Sequence, residues 1–206
     1  MTCHRFTPGL TRGVALLAAV ARLILGPAPD ATAAPASDQL KPEIDRVVAT
    51  LENPALKGER KSQERRQEIR SITDGIFDWT EMARRSLGRH WAGRTEVERR
   101  EFVTLFRNLI ERAYISKIEG YGGEKLAFVG EAVDGDQATV RTKIVTRQNQ
   151  EVPIDYRMSR QGDRWRIYDV IIEGISLISN YRTQFDGIIR TSSYEELVKK
   201  IKMRSS

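Results

Sequence analysis

The sequence predicts an α+β fold, in which helices both precede and follow a four-stranded antiparallel sheet. Apolar residues recur at helical spacing up to about residue 119, alternate with polar residues between 125 and 173, and return to helical spacing after Gly174. Helices and strands that occupy separate blocks of a chain are typical of α+β proteins, whereas α/β proteins alternate them.

The first block opens with two helices of different character. The first carries an apolar stripe as far as Asn53-Pro54, made of Leu40, Ile44, Val47, Val48 and Leu51. The second, over residues 58–73, is strongly polar, and Ile69 and Ile72 are its only large apolar residues. This composition predicts a peripheral helix that ends near Asp74-Gly75.

Two helix starts follow, each marked by the spacing of a capping box. Asp78 precedes Glu81 by three residues, and Thr95 precedes Glu98 by the same interval. In such a pair the first side chain caps the helix and the glutamate reaches back to the backbone. The second of these helices is predicted to run to about Glu119, with an apolar stripe made of Phe102, Leu105, Phe106, Leu109, Ile110, Ala113, Tyr114 and Ile118.

The period then changes to two, which predicts strands. The predicted strands are Lys125–Val133, Gln137–Arg147, Glu151–Ser159 and Arg164–Glu173. The Asp134-Gly135 pair between the first two is a hairpin signal, and polar turns separate the others, so the strands form an antiparallel meander with one apolar face.

Two amphipathic helices close the chain. The stripe of the first is Leu177, Ile178, Tyr181, Phe185 and Ile188, and that of the second is Tyr194, Leu197, Val198 and Ile201. The opposite face of the second helix is basic, with Lys199, Lys200, Lys202 and Arg204. This face and Arg84-Arg85 are candidates for contact with a membrane or a partner.

The N-terminal residues 1–36 predict a cleaved signal peptide. A basic start precedes an apolar run over Gly13–Gly26, which is too short to span a bilayer, and a small, polar stretch follows it. A permanent N-terminal anchor is the alternative, and Arg22 inside the apolar run counts against it. Cleavage would remove Cys3, the single cysteine, and would lower the formal charge from +6 to +4. We therefore expect a soluble, secreted product without disulfides.

The sequence offers little equipment for catalysis. The predicted mature chain has one histidine, His90, which lies in a turn beside Trp91 without a nucleophile motif. A zinc site of histidine or cysteine is excluded by their number, and no glycine pattern for phosphate binding is present. An acid/base enzyme using Asp169 with Tyr168 or Tyr156 is an alternative, although a buried aspartate in a strand is usually a structural hydrogen-bond acceptor. We expect no enzyme, metal or cofactor.

Several separated motifs resemble the MlaC, or toluene-tolerance, family of periplasmic phospholipid-binding proteins. They are Phe77-Asp78 with Met82-Ala83-Arg84, Leu87-Gly88-Arg89-His90-Trp91, Glu101-Phe102-x-x-Leu105-Phe106, Val140–Ile144, Trp165–Leu177 and Asn180-Tyr181-Arg182-x-Gln184-Phe185. The resemblance covers about residues 40–203 and keeps the motifs in order.

The resemblance implies a curled sheet covered by helices that enclose an apolar pocket for phospholipid tails. It further implies a monomeric periplasmic shuttle between an outer-membrane lipoprotein complex and an inner-membrane ABC transporter with an MCE-domain ring, which maintains outer-membrane lipid asymmetry. The expected organisation is a signal peptide (1–36) and a phospholipid-binding domain (37–206), with helices over 38–120, the sheet over 124–174 and C-terminal helices over 176–204.

The candidate pocket lining takes one face of each element, and the junction at Gly174 is where sheet and helices are expected to part. The candidate residues are Leu105, Leu109, Val140, Ile144, Ile154, Tyr156, Ile167, Val170, Ile175, Leu177, Ile178, Tyr181 and Phe185. Arg182 and Arg190 are candidates for contact with the lipid phosphate, with surface ion pairs as the alternative.

Three other functions remain open at this stage. They are a carrier of a different lipid, such as a hopanoid-related one, an acid/base enzyme of similar shape, and an interaction module with a solid core. A filled core and a lipid-filled cavity give the same apolar pattern, so periodicity does not distinguish them.

Overall fold

The computed structural model describes residues 35–205, which form helices α1–α6 and strands β1–β5. The helices are α1 Ala36–Glu52, α2 Ser62–Ile76, α3 Trp79–Leu87, α4 Glu96–Glu119, α5 Leu177–Thr191 and α6 Tyr194–Ser205. The strands are β1 Lys125–Asp134, β2 Gln137–Val145, β3 Glu151–Gln161, β4 Arg164–Ile172 and β5 Ile175–Ser176. Short 3-10 turns cover Pro54–Leu56, Glu59–Lys61 and Gly88–His90. The predicted α+β fold is confirmed, while the predicted signal peptide lies outside the described residues.

The sheet differs from the prediction by one short strand. Its order is β1-β2-β3-β4-β5 with antiparallel neighbours, and β5 consists of two residues paired with the end of β4. A tight turn makes this return possible, because Glu173 and Gly174 both have positive φ, of 50° and 80°. Two residues are too few for a period-two pattern, so the sequence contained no signal for β5.

The strand register places the apolar side chains of β1–β4 in four rows on one face. The rows, read from β1 towards β4, are Val133/Ala138/Met158/Ile167, Glu131/Val140/Tyr156/Val170, Phe128/Thr142/Ile154/Ile172 and Leu126/Ile144/Val152. Bulges at Phe128/Gly130 and Arg157/Met158 keep this alternation in phase along the outer strands.

The buried apolar residues fall into two clusters. The sheet core lies between α1, the end of α2 and the apolar face, and consists of Ala36, Leu40, Ile76, Ala138, Val140, Met158, Trp165, Ile167 and Val170. The helical core joins α3, α4, α5 and α6, and consists of Met82, Ala83, Leu87, Phe102, Phe106, Leu109, Ile110, Leu177, Ile178, Phe185, Tyr194, Leu197 and Ile201. Phe77, between α2 and α3, packs against both.

The two predicted helix caps have different outcomes. At α4 the capping box is complete, because Thr95 accepts from the Glu98 backbone N–H and Glu98 accepts from the Thr95 N–H at 2.7 Å. At α3, Asp78 caps the helix by accepting from the Glu81 N–H at 2.9 Å. The Glu81 carboxylate instead accepts from Arg84 and Arg85, so the capping box at Asp78 is only half formed.

Asp169 on β4 joins the sheet to the helical core. Its carboxylate accepts a hydrogen bond from the Ser176 hydroxyl at 2.6 Å and from the Ile178 backbone N–H, in the first turn of α5, at 3.1 Å. The residue is buried, and the Arg157 guanidinium lies 3.6 Å away. An anion is favoured at the start of a helix because the backbone N–H groups there lack partners within the helix.

We expect Asp169→Ala to destabilise the protein by about 3 kcal/mol, because it leaves one buried and one partly buried donor without an acceptor. Urea unfolding followed by circular dichroism measures this loss. Asp45→Asn is the matched control, since Asp45 forms an exposed ion pair with Lys41 that contributes at most about 0.5 kcal/mol. Equal effects for the two variants would contradict a structural role for Asp169.

Candidate functional site

The helices cover the apolar face of the sheet unevenly. Ala138, Val140, Met158 and Ile167, in the two rows below the start of α1, are buried. The other two rows are largely half-buried. We call their half-buried apolar members the open end of the sheet: Leu126, Phe128, Ile144, Val152, Ile154 and Ile172. A continuous apolar surface with partial cover is suited to holding an apolar ligand.

Helix α1 is attached to the sheet at one end. The Ser37 N–H donates to the Glu131 carboxylate at 2.7 Å. The Gln39 side chain donates to the Asp163 carbonyl at 2.8 Å and accepts from the Trp165 N–H at 3.0 Å. Leu40 is fully buried one residue further on. The apolar stripe of the second half of α1 is only half-buried: Ile44, Val47, Val48 and Leu51.

Pro42 separates these two halves of α1. A proline inside a helix lacks the N–H that would donate to the carbonyl four residues earlier, here that of Asp38. Its ring also crowds that carbonyl, and interior prolines are the commonest cause of helix kinks. The anchored first turn is therefore followed at once by the weakest point of the helix.

A cleft of about 430 Å³ lies between α1 and α2. It is lined by Arg46, Ala49, Thr50, Asn53, Leu56, Glu68 and Ile72. Ile72 and Thr50 are buried, whereas Arg46 and Glu68 are exposed. The cleft is thus polar at the surface and apolar at depth, and it lies beside the part of α1 that lacks anchors.

Ion pairs hold α2 against α4. Arg65 and Arg66 both pair with Glu119, with N–O distances of 2.6 and 2.7 Å. One turn further along α2, Arg70 bonds to the Glu111 carboxylate and to Asn108. Near the end of α2, Arg107 of α4 donates to the Asp74 carboxylate at 2.7 Å. Charged contacts therefore run from residue 65 to residue 74 of this polar helix, which covers Ser62–Ile76 and not the predicted residues 58–73.

The helical core is closed by packed aromatic rings. Phe102 and Phe106 are fully buried, and each meets Phe185 edge-on with ring centroids 5.8 and 6.0 Å apart. Tyr181 and Tyr194 extend this cluster with centroid distances of 5.5 and 6.2 Å. A second cleft, of about 370 Å³, lies over this core and is lined by Leu109, Gln184, Phe185, Ile188, Leu197, Lys200, Ile201 and Met203.

The residues predicted to line a single pocket are divided between the two cores. Val140, Ile154, Tyr156, Ile167 and Val170 belong to the sheet core or pack against it. The helical core contains or contacts the following: Leu105, Leu109, Leu177, Ile178, Tyr181 and Phe185.

Ile144 and Ile175 belong to neither core. Ile144 lies at the open end of the sheet, whereas Ile175 is 66% exposed on β5. The junction at Gly174 is held by the hydrogen bonds of Asp169 described above, and the second half of α1 is the less firmly attached part of the cover.

The α1–α2 cleft contains apolar residues that the sequence did not predict as pocket lining: Ala49, Leu56 and Ile72. The one feature of the sequence that points towards them is the apolar stripe of α1, which continues to Leu51.

The polar candidates from the sequence have structural partners. His90 Nε2 lies 2.8 Å from the Asp186 carboxylate, and this hydrogen bond, together with that from Arg89, holds the pKa of Asp186 below its ordinary value. Arg190 lies 3.9 Å from the same carboxylate. Arg182 packs its methylenes over Gly88, where a Cβ would meet its Cδ at 3.2 Å. These residues surround α5, on the helical core and away from the α1–α2 cleft.

Tyr156 lies in the second row of the apolar face, and burial raises the pKa of its phenol to about 12. A phenol with a raised pKa stays protonated at neutral pH and makes a poor general base. Within residues 35–205, no group of three histidine, cysteine, aspartate or glutamate side chains is placed to hold a metal ion. In the same part of the chain, every helix is too short or too polar to cross a bilayer.

Comparison with known proteins gives a matching family model, a related protein and a similar solved structure. The intermembrane phospholipid transport system binding protein MlaC from Haemophilus influenzae is 22% identical over 125 residues, which cover 58% of this chain and 58% of that protein. A phospholipid-binding protein from Ralstonia solanacearum, solved in complex with a phospholipid, has a TM-score of 0.73 at 23% identity. The match covers 84% of this chain and 97% of the Ralstonia chain, and at this identity it establishes a shared fold. The family model described as MlaC protein matches residues 41–203. The chain therefore belongs to the MlaC family.

Proposed function

We propose that this protein is a phospholipid carrier. The observation that carries the proposal is the open end of the sheet, an apolar surface beside helix α1, whose hydrogen bonds to the sheet lie in its first turn. The matched Haemophilus protein is described as a component of intermembrane phospholipid transport, and the Ralstonia protein was solved with phospholipid bound. These descriptions support phospholipid as the cargo here.

The energetics explain why such a carrier is needed. Burying a methylene group is worth about 0.8 kcal/mol, so two tails of about 15 methylenes each represent on the order of 20 kcal/mol before ordering costs. A free lipid therefore leaves a membrane for water very rarely, and a carrier must offer a comparable apolar lining. The same magnitude means that release requires either a deformed pocket or a partner that supplies another apolar path.

The space that tails require is larger than either cleft. Two acyl tails need about 800 Å³, within the range of ligand sites. The α1–α2 cleft of about 430 Å³ provides about half of this. Lifting the second half of α1 about Pro42 would join the cleft to the open end of the sheet without breaking the anchors at Ser37 and Gln39. The helical core is a poorer location, because its stacked rings would have to separate.

We place this carrier in the periplasm, exported by the signal peptide predicted over residues 1–36. There it would shuttle phospholipid between an outer-membrane lipoprotein complex and an inner-membrane transporter with an MCE-domain ring, and so maintain outer-membrane lipid asymmetry. An acid/base enzyme using Asp169 is less well supported, because both carboxylate oxygens are engaged in structural hydrogen bonds.

The second half of α1 should be more mobile than the helical core. We expect amides of residues 43–52 to exchange with deuterium faster than those of Phe102–Ile110 in α4, because the apolar stripe of the former is only half-buried. Pro42→Ala should slow this exchange several-fold, since it restores one helical hydrogen bond, and Pro54→Ala, outside α1, should leave it unchanged. Mass spectrometry of peptic fragments provides the measurement, and uniform protection along α1 would argue against a pivot at Pro42.

The open end of the sheet should hold the lipid tails. Native mass spectrometry of the purified protein should detect about one phospholipid per chain, and solvent extraction should remove it. Ile144→Glu and Ile154→Glu should each lower this occupancy at least tenfold, because a carboxylate at the open end opposes burial of a tail. Val97→Glu is the control, since Val97 is exposed in the first turn of α4, where a negative charge is tolerated.

Ile175→Glu distinguishes the open end from the junction at Gly174. Retained lipid in this variant favours the open end, whereas loss of lipid would move the tails to the junction. A wild-type protein that purifies empty and takes up no phospholipid from vesicles would refute the carrier function. A co-purified lipid of another class, such as a hopanoid-related one, would replace phospholipid as the cargo.

A further inference from the structure

The segment between α1 and α2 has an unusual concentration of positive charge. Residues 57–66 contain the cations Lys57, Arg60, Lys61, Arg65 and Arg66 but only two carboxylates, Glu59 and Glu64. Glu64 is already paired with Lys61 at 2.7 Å. The two arginines at the end of this segment depend on a carboxylate from α4.

Arg65 and Arg66 share that single carboxylate. Arg66 donates from Nε and Nη2 to Glu119, with a shortest distance of 2.7 Å, and Arg65 donates from Nη2 at 2.6 Å. The hydrogen bond from Arg66 holds the pKa of Glu119 below its ordinary value, so the carboxylate stays ionised. Two guanidinium groups facing one carboxylate leave the cluster with a net positive charge, which attracts anions.

This cluster lies at the rim of the α1–α2 cleft. Arg65 also donates from Nη1 to the Leu56 carbonyl at 2.8 Å, and Leu56 lines the cleft. The side chain of Arg65 is 15% exposed and that of Glu119 is 13% exposed, whereas Arg66 is 47% exposed. An anion arriving from solvent can therefore reach Arg66 first, while Arg65 is the arginine that contacts a residue of the cleft.

We propose that Arg65 and Arg66 form a binding site for the phosphodiester group of the lipid, and that Glu119 occupies this site when no lipid is bound. The proposal rests on the carrier function and adds where the headgroup is held. A phosphodiester is a monoanion with two free oxygens, so it presents to a guanidinium the same bidentate geometry as a carboxylate.

The exchange of anions explains why the site can fill and empty. A phosphodiester that enters replaces the oxygen atoms of Glu119, so neither arginine loses its hydrogen bonds during loading. On release the carboxylate returns, and the arginines are not left unpaired in a partly buried position, which would be costly. Glu68, which also lines the cleft, and Glu59 oppose the anion at longer range and keep its binding reversible.

The test compares two lipids with the same acyl chains, one of which carries a phosphoglycerol headgroup and the other a free hydroxyl. Delipidated full-length mature protein is offered an equimolar mixture of phosphatidylglycerol and diacylglycerol with identical acyl chains. Native mass spectrometry then gives the ratio of the two bound lipids. Wild type should favour phosphatidylglycerol. The double variant Arg65→Gln/Arg66→Gln should lower the ratio about tenfold or more, through loss of charge-assisted hydrogen bonds. Glu119→Gln should raise it, because a competing anion is removed.

Arg70→Gln is the matched control. Arg70 lies one turn further along α2 and forms the same kind of contact with α4, through Glu111 and Asn108. We expect this variant to bind the two lipids in the wild-type ratio, because Arg65 and Arg66 are unchanged. It therefore tests the effect of loosening α2 alone. The opposite signs expected for the arginine variants and for Glu119→Gln separate headgroup binding from general destabilisation, which would act in one direction.

The outcomes distinguish this site from the carrier function. If the double variant binds both lipids in the wild-type ratio, or if Glu119→Gln lowers the ratio, the headgroup site is wrong and the carrier function stands. If wild type binds neither lipid, both proposals fail. A tenfold excess of inorganic phosphate should leave the ratio unchanged, because free phosphate lacks the tails. If it abolishes the preference, the site takes free phosphate and its assignment to the lipid is overturned.

Discussion

Strand β4 holds the two cores together, and the rest of the structure is arranged around this constraint. Its Ile167 carbonyl accepts from the Asp78 N–H at 2.8 Å, which fixes the start of α3, and Asp169 fixes the start of α5. The first of these hydrogen bonds is 2.8 Å long and the second 3.1 Å, and Phe77 packs against both cores. The helical core is thus joined directly to the sheet, whereas the hydrogen bonds between α1 and the sheet lie in the first turn of α1.

The contacts between α2 and α4 are of a different physical kind from those of the helical core, although α2 also buries Ile69, Ile72 and Ile76. Separating Phe102, Phe106 and Phe185 would expose large apolar surfaces, whereas partly exposed ion pairs contribute from zero to about 1 kcal/mol each and exchange readily with water or other anions. The ion pairs thus define the position of α2 against α4, and they add little to the free energy needed to separate these two helices. A wholly apolar α2 would pack more tightly and would close the cleft.

Much of the fold was predictable because local patterns determine it. The strands of the meander were predicted to within two residues at each end, and the box at Thr95 was predicted in full. The exceptions, β5 and the half box at Asp78, depend on a tight turn and on Arg84 and Arg85, which compete for Glu81. Neither effect leaves a periodic signal in the sequence.

The site was less predictable, because periodicity identifies an apolar face but not what covers it. Leu40 and Val47 belong to one stripe of α1, yet Leu40 is fully buried and Val47 is half-buried. The difference arises from the anchors at Ser37 and Gln39, whose partners are 94 and 126 residues away. Contacts over such separations cannot be inferred from spacing within one helix, so the sequence did not show which members of an apolar stripe are fully buried.

The depth and the rim of the α1–α2 cleft differ in polarity. Its depth is apolar around Ile72, and its rim carries guanidinium groups that share one carboxylate. An amphiphile with an anionic head matches both parts at once, whereas a neutral hydrocarbon matches the depth alone and a free anion matches the rim alone. The same helix, α2, contributes to both parts, so movement of α2 changes the apolar space and the cationic rim together. In the proposed carrier, movement of α2 would therefore couple binding of the tails to binding of the head.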